Sequence, residues 1–225
     1  MSERADRILD AAGVLLTRFG YRKVTIEDIA RQAGIGKGTI YLHWRTKDAL
    51  FEAMMLRESV ILCEEIVAAL REDPAEIRPH RFLRLAFMAT SRRPVLLSMF
   101  TGDAEQLGKL REYSVRGKDL LASELFFGLM IEHGLLRDDV PDIRYAMQAT
   151  SLGFYLLETV SAEDADLALE LKGDAFARTV KAAFEPAGET PAAAVAAVAP
   201  VLIAVFEDLV SSYRKVIYPD DEGPG

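Results

Sequence analysis

Apolar positions recur at three- and four-residue steps along almost the whole chain, and strictly alternating β-branched runs are missing. That is the period of helices. From Arg4 to Phe19, the residues Ile8, Ala11, Ala12, Leu15, Leu16 and Phe19 fall on one stripe, and Gly20 stops that helix. "VTIEDIARQAG" opens a second helix, with Thr25 as N-cap, Asp28 three positions on as in a capping box, and Gly34 as the stop. After the link Ile35–Gly36, "KGTIYLHW" makes a third, equally short helix. Thr46 then caps a fourth, which runs from "KDALFEAMM" to about Leu70.

Longer amphipathic helices follow over about 76–92, 94–108, 110–134, 141–160, 163–184 and 191–215. The breaks between them fall at Asp73-Pro74, Pro79, Pro94, Gly134, Pro141 and the "PAGETP" loop at 186–191. Pro94 and Pro191 suit first-turn positions and Thr190 suits a cap. Pro200, inside the last pattern, is expected to kink or split it. The tail "YPDDEGPG" is expected to fray. The fold class is all-α.

Charge adds an asymmetry to this picture. Residues 1–57 carry ten Lys and Arg against seven Asp and Glu, whereas residues 58–225 carry 17 against 28, for an overall net charge of −8. A basic head on an acidic body suggests that the head meets a polyanion. The N-terminus "MSERADRILDAAG" lacks the apolar segment of a secretory signal. No apolar run reaches the roughly 18 residues that span a bilayer. The single cysteine, Cys63, excludes an intrachain disulfide and fits a reducing cytoplasm. His43, His80 and His133 with Cys63 make no metal-ligand spacing, so no metal is expected. His80 and His133 read as solvated or capping groups.

The stretch "AGIGKGTIYLHW" (residues 33–44) is the candidate for chemistry. Its glycines and lysine suggest phosphate, but the Walker spacing fails at Arg31 and Gly38, the dinucleotide spacing fails at Thr39, and a helix rather than a strand precedes it. A bound nucleotide is therefore excluded and no cofactor is expected. Two short helices joined by a tight, glycine-containing turn make a helix-turn-helix. Ile26, Ile29, Ala30, Ile35 and Ile40 can share a small core, and Gly36, Lys37, Gly38 and Thr39 fall at the helix start that enters a major groove.

At these residues a resemblance appears. "TIEDIARQAGIGKGTIYLHWRTKDALF" (residues 25–51) resembles the DNA-binding segment of TetR-family transcriptional regulators, and the likeness extends over roughly residues 5–53. It implies an N-terminal three-helix DNA-binding domain over 1–47 and a larger helical effector-binding and dimerisation domain over 48–225. It further implies that Thr25, Tyr41, His43 and Lys47 contact DNA phosphates. Lys37 and Thr39, with Gly36, Gly38 and Leu42 to a lesser degree, would face bases. Trp44, where the family usually has Phe, reads as the residue anchoring the third helix in the core.

For the acidic body the resemblance implies a pocket for a small, largely apolar effector. Candidates by position and residue type are Phe82, Phe87, Met99, Phe127, Met130, Met147 and Phe154, with Gln148 and Ser151 as polar handles. A homodimer is expected to join through small residues Ala146, Ala149, Thr150 and Gly153, and through the stripe Val195, Val198, Leu202, Val205, Phe206, Leu209 and Tyr213. The implied function is a cytoplasmic, non-enzymatic repressor that binds a palindromic operator as a dimer and is released by its effector. An activator or ligand-independent regulator on the same fold is the alternative.

Overall fold

The computed structural model describes residues 3–101, 118–160 and 166–218. Among them the elements are α1 (Glu3–Lys23), α2 (Ile26–Ala33), α3 (Lys37–His43), α4 (Lys47–Glu72), a 3₁₀ turn (Pro74–Ile77), α5 (Pro79–Ser91), α6 (Pro94–Thr101), α7 (Lys118–Glu132), α8 (Ile143–Val160), α9 (Leu169–Phe184) and α10 (Ala192–Ile217), with no strand. The expected helical segments over 102–117 and 161–165, and the tail beyond residue 218, lie outside the described residues.

The N-terminal elements follow their punctuation closely. Gly20 breaks the helical path of α1 at φ 74° and ψ 160°, a conformation that L side chains rarely adopt. Ile8, Leu9, Ala12 and Leu16 form the buried stripe, but Phe19 is exposed instead of joining it, and the Arg18 guanidinium lies 5.0 Å from its ring centre. Thr46 caps α4 by accepting the Ala49 N–H at 3.1 Å. The 26 residues of α4 span about 39 Å at 1.5 Å rise per residue, enough to connect head and body.

Further along, Pro79 splits the segment expected as one helix over 76–92, because a proline supplies no N–H to continue the preceding turn. Thr190 is not a cap: Pro191 occupies that position and α10 begins at Ala192 without a side-chain cap. Pro200 does not split α10, which is helical from Ala192 to Ile217. The proline sits on the solvent side, where a missing backbone bond is replaced by water at little cost. His80 is not a solvated group either. The buried Glu185 carboxylate accepts its backbone N–H at 2.6 Å and lies 2.9 Å from its Nδ1, tying the start of α5 to the end of α9.

Two hydrophobic clusters organise the chain. The first contains α1–α3 and the N-terminal half of α4, joined by Val95 and Leu96 of α6 and by Leu209, Tyr213 and Ile217 of α10. The second gathers Ile66 and Leu70 of α4 with α5, α7, α8, α9 and the first half of α10. Helix α10 packs along α4, and α9 along α5. The α10 stripe expected at a dimer interface is thus internal: Val195, Val198, Leu202, Leu209 and Tyr213 are buried, and Val205 and Phe206 pack against the clusters. Contrary to expectation, α10 is long and apolar enough, by length and composition alone, to cross a membrane. Its apolar character is that of a helix whose inner face fills both clusters.

Three polar contacts fasten α1 to α4 and α10. The Arg57 guanidinium donates to the Asp6 carbonyl at 3.1 Å and to the Asp10 carboxylate at 2.6 Å, and the Tyr218 hydroxyl donates to the Asp6 carboxylate at 2.6 Å. Burial, with the Asp6 carboxylate beside it, raises the Tyr218 phenol above its ordinary range.

Candidate nucleic-acid interface

The local chemistry of α2 fixes where α3 begins. The Thr25 hydroxyl accepts the Asp28 N–H at 3.2 Å and donates to the Asp28 carboxylate at 2.6 Å, while that carboxylate accepts the Thr25 N–H at 3.1 Å. This reciprocal capping box satisfies donors at the helix start, and its hydrogen bonds hold the Asp28 carboxyl below the usual carboxylate range. At the other end Gly34 takes the left-handed conformation (φ 67°, ψ 35°). Its N–H and that of Ile35 return to the Arg31 and Ala30 carbonyls at 3.3 and 3.0 Å, the double closure that reverses a chain after a helix. Gly36 then starts α3 without a side-chain cap.

Helix α3 is held from below by two residues. Ile40 and Trp44 are buried in the head cluster, and the Trp44 N–H closes on the Ile40 carbonyl at 2.9 Å. Everything else on α3 faces outward to some degree: Gly36, Lys37, Gly38 and Tyr41 are exposed, Thr39 and His43 are half-buried, and Leu42 is 74% exposed. A leucine bare on a seven-residue helix contributes nothing to the core, and its apolar surface suits contact with a thymine methyl group. Ile40 and Trp44, four positions apart, fall on the same face of the helix, and the residues between them turn away from the core.

Two cations occupy different settings. The Lys37 ammonium donates to the Glu27 carboxylate across the turn. That bond raises the lysine pKa and lowers the glutamate's, yet both groups are exposed, where such pairs stabilise little. Glu27 is not readable from spacing as part of this surface, because the contact joins residues on two separate helices. The Lys47 ammonium is engaged inward. It donates to the Tyr21 carbonyl at 2.5 Å and lies 4.1 Å from the Tyr21 ring centre, and burial lowers its pKa. The structure therefore leaves Gly36, Lys37, Gly38, Tyr41 and Leu42 exposed and Thr39 half-buried, with Thr25 exposed at the neighbouring helix start. Arg45, exposed immediately after Trp44, adds a cation beside it that the spacing argument missed.

The body contains a cavity of about 270 Å³ lined by Phe87, Ser91, Leu97, Phe154, Tyr155, Leu167, Leu169 and Lys172. Of the expected pocket residues, Phe87 and Phe154 lie on its wall. Phe82, Phe127, Met130 and Met147 are instead buried among packed side chains, with the Phe82 ring tilted against that of Phe126 at 4.9 Å between centres. Gln148 is exposed and the Ser151 hydroxyl donates to the Met147 carbonyl at 2.8 Å; the Met99 side chain lies outside the described residues. Burial pushes the Tyr155 phenol up to about 12. No group of His, Cys, Asp and Glu able to hold a metal occurs among the described residues.

Residues 8–54, which hold all of this head geometry, match the family model described as bacterial regulatory proteins of the tetR family. Over this segment the chain is similar to the tetR family. The chain is similar to the nucleoid occlusion factor SlmA of Glaesserella parasuis serovar 5, with 26% identity over 105 residues covering 46% of this chain and 52% of that protein. It spans about half or less of the length of the curated relatives it matches. Among solved structures, the fatty acid degradation regulator FadR from Bacillus halodurans superposes with a TM-score of 0.61 and 20% identity over 80% of this chain and 95% of the other. FadR from Bacillus subtilis in complex with stearoyl-CoA superposes with a TM-score of 0.58 and 18% identity over 78% and 96%. At these identities the likeness is one of fold, and it extends from the head through the body.

Proposed function

We propose that this chain is a DNA-binding transcriptional regulator, acting as a dimeric repressor on a palindromic operator and released by a small, largely apolar effector. The observation that carries the reading is the α2–turn–α3 unit, whose one face is locked by Ile40 and Trp44 while Lys37, Thr39, Tyr41 and Leu42 are presented outward. In this reading Lys37, Thr39 and Leu42 read base edges, and the bare Gly36 and Gly38 let the backbone approach the duplex. Thr25, Tyr41, His43 and Lys47 hold phosphates, Lys47 exchanging its bond to the Tyr21 carbonyl for one to DNA. Helix-turn-helix dimers span half-sites about 34–36 Å apart.

Helix α8 supplies a surface suited to dimerisation. Tyr145, Leu152, Leu157 and Val160 are exposed there with Ala149 and Gly153 between them, an apolar stripe at helical spacing that water disfavours. The cavity supports the effector role, since it lies between helices that continue through α6 to the head cluster. A fold relative that holds stearoyl-CoA supports the general arrangement. The test is a reporter driven from an operator-bearing promoter, assayed with the chain present, absent, and present with a ligand selected by thermal shift. Repression relieved by ligand supports the reading, and activation or an unchanged reporter overturns it.

A further inference from the structure

Helices α1, α4 and α10 meet at one polar cluster. On α1, Asp6 and Asp10 lie one helical turn apart and so share a face. From α4 the Arg57 guanidinium donates to the Asp6 carbonyl at 3.1 Å and to the Asp10 carboxylate at 2.6 Å, and it lies 3.7 Å from the Asp6 carboxylate. From the end of α10 the Tyr218 hydroxyl donates to that same Asp6 carboxylate at 2.6 Å. The Arg57 side chain is only 16% exposed, so salt screens these contacts less than it screens surface pairs.

Helix α10 joins this cluster to the body. Val195, Val198, Ala199 and Leu202 of its first half are buried in the second hydrophobic cluster, and Leu209, Tyr213 and Ile217 of its second half in the first. The ion pairs Arg71–Glu207 and Glu64–Arg214 tie it sideways to α4. Apolar burial is non-directional and lets helices slide, whereas a hydrogen bond weakens steeply once its geometry is lost. The apolar residues therefore hold α10 in the shared core, and the contacts to Asp6 fix the angle of α1 relative to α4 and α10. From Asp6 to Phe19, α1 is about 20 Å long, so a tilt of about 5° displaces its far end by about 1.7 Å. Opposite tilts in two heads sum to about 3.4 Å, the rise of one base pair.

We infer that Arg57 and Tyr218 are positioning residues for DNA recognition: by holding Asp6 they set the angle of the head, and hence the half-site spacing that the dimer accepts. This rests on the reading of the chain as a dimeric operator-binding protein, and it gives two residues outside the helix-turn-helix a part in specificity.

The test compares the full wild-type chain with Tyr218→Phe, which removes only a hydroxyl, Asp6→Ala, which removes the shared acceptor, and Asp6→Asn, whose amide oxygen still accepts from Tyr218. A circular dichroism spectrum matching wild type establishes that each variant folds. Affinity is measured for the duplex that wild type selects from a random library, and for versions with the half-sites one base pair closer or farther apart. Wild type and Asp6→Asn lose at least about tenfold on the altered duplexes, whereas Tyr218→Phe and Asp6→Ala lose less than about threefold. A loss of stability alone weakens binding at every spacing alike, so the ratio between duplexes reads position. Spin labels at Gln32→Cys on α2 and Ala183→Cys on α9, both exposed sites, give the head-to-body distance without DNA, in a Cys63→Ala background with labelled chain diluted into unlabelled. That distance distribution is at least about twofold broader in Tyr218→Phe and Asp6→Ala than in wild type. Wild-type spacing penalties in both variants overturn the inference, as does an unchanged distance distribution. A wild-type chain that selects no duplex removes the DNA-binding reading; broadened distances then still establish that the Asp6 contacts fix the head, and unchanged ones remove that as well.

Discussion

In the proposed mechanism the contact between α1 and α6 is one place where the body can move the head, and Gly13 sits at that contact. A methyl group added at Gly13 would lie 3.3 Å from Val95 Cγ2 and 3.7 Å from Met54 Sδ. Val95 is β-branched and buried, so it cannot turn aside as a flexible chain end could. For Gly13→Ala, two terms favour folding: about 1 kcal/mol from replacing a mid-helix glycine and about 0.8 kcal/mol from one more buried methyl. Overpacking opposes them by about 1–3 kcal/mol. These nearly cancel, so urea unfolding should place the variant within about 1 kcal/mol of wild type, a Tm change of less than about 4 °C for a chain of this size. Position is not compensated in this way. To relieve the contact, α6 shifts by a few tenths of an ångström from α1, and the head is reset relative to the body. Operator affinity without effector, followed by fluorescence anisotropy, should fall about 3- to 10-fold, a coupling change of about 0.7–1.4 kcal/mol. If stability drops by more than about 3 kcal/mol, the packing argument is wrong. If affinity and effector response both stay within twofold of wild type, α6 does not set the head.

Three further outcomes follow from other contacts. Glu27→Gln releases Lys37 and removes a carboxylate from the DNA-facing side, so binding to operator and non-specific duplex should both tighten several-fold and discrimination should narrow; unchanged affinities for both would contradict the assignment of this surface. Leu152→Glu places a charge in the exposed α8 stripe and should convert a dimer to a monomer in light-scattering chromatography, whereas a retained dimer would move the interface elsewhere. Tyr155 has its phenol raised by burial from an ordinary value near 10 to about 12, so its neutral form is favoured in the folded state. The associated stability is full below pH 10 and is lost as pH rises from 10 towards 12. Tyr155→Phe should flatten that limb by at most about 1.4 kcal/mol per pH unit, and superimposable unfolding curves for variant and wild type would refute the burial argument.

Local rules made the head readable in advance. A threonine three positions before an aspartate, and a glycine eight residues into a short helix, act through backbone donors within a few residues, so Thr25, Asp28 and Gly34 take the roles their spacing implies. Trp44 is also found where its apolar bulk suggests, in the core, although its indole N–H has no partner there. What depends on distant segments was not legible. Periodicity says which face of a helix turns inward but not whether that inward face meets another helix, a void or a second chain. This is why the α10 stripe reads equally well as core or interface, and why Phe82, Phe127, Met130 and Met147 could not be distinguished in sequence from the cavity-lining Phe87 and Phe154. The partners of Lys37, Lys47 and His80 are equally non-local: Glu27, the Tyr21 carbonyl and Glu185 are 10, 26 and 105 positions away.

The central claim is that the presented face of α3 reads duplex DNA as a dimer, and selection from a random duplex library followed by salt titration tests it most directly. The account predicts an enriched palindrome with half-sites one helical turn apart, bound by two copies of the chain. With Arg45 and Lys47 of each head neutralising phosphates, the log–log salt slope should be about −3 to −4. No enriched sequence, or binding that does not weaken as salt rises, would contradict it.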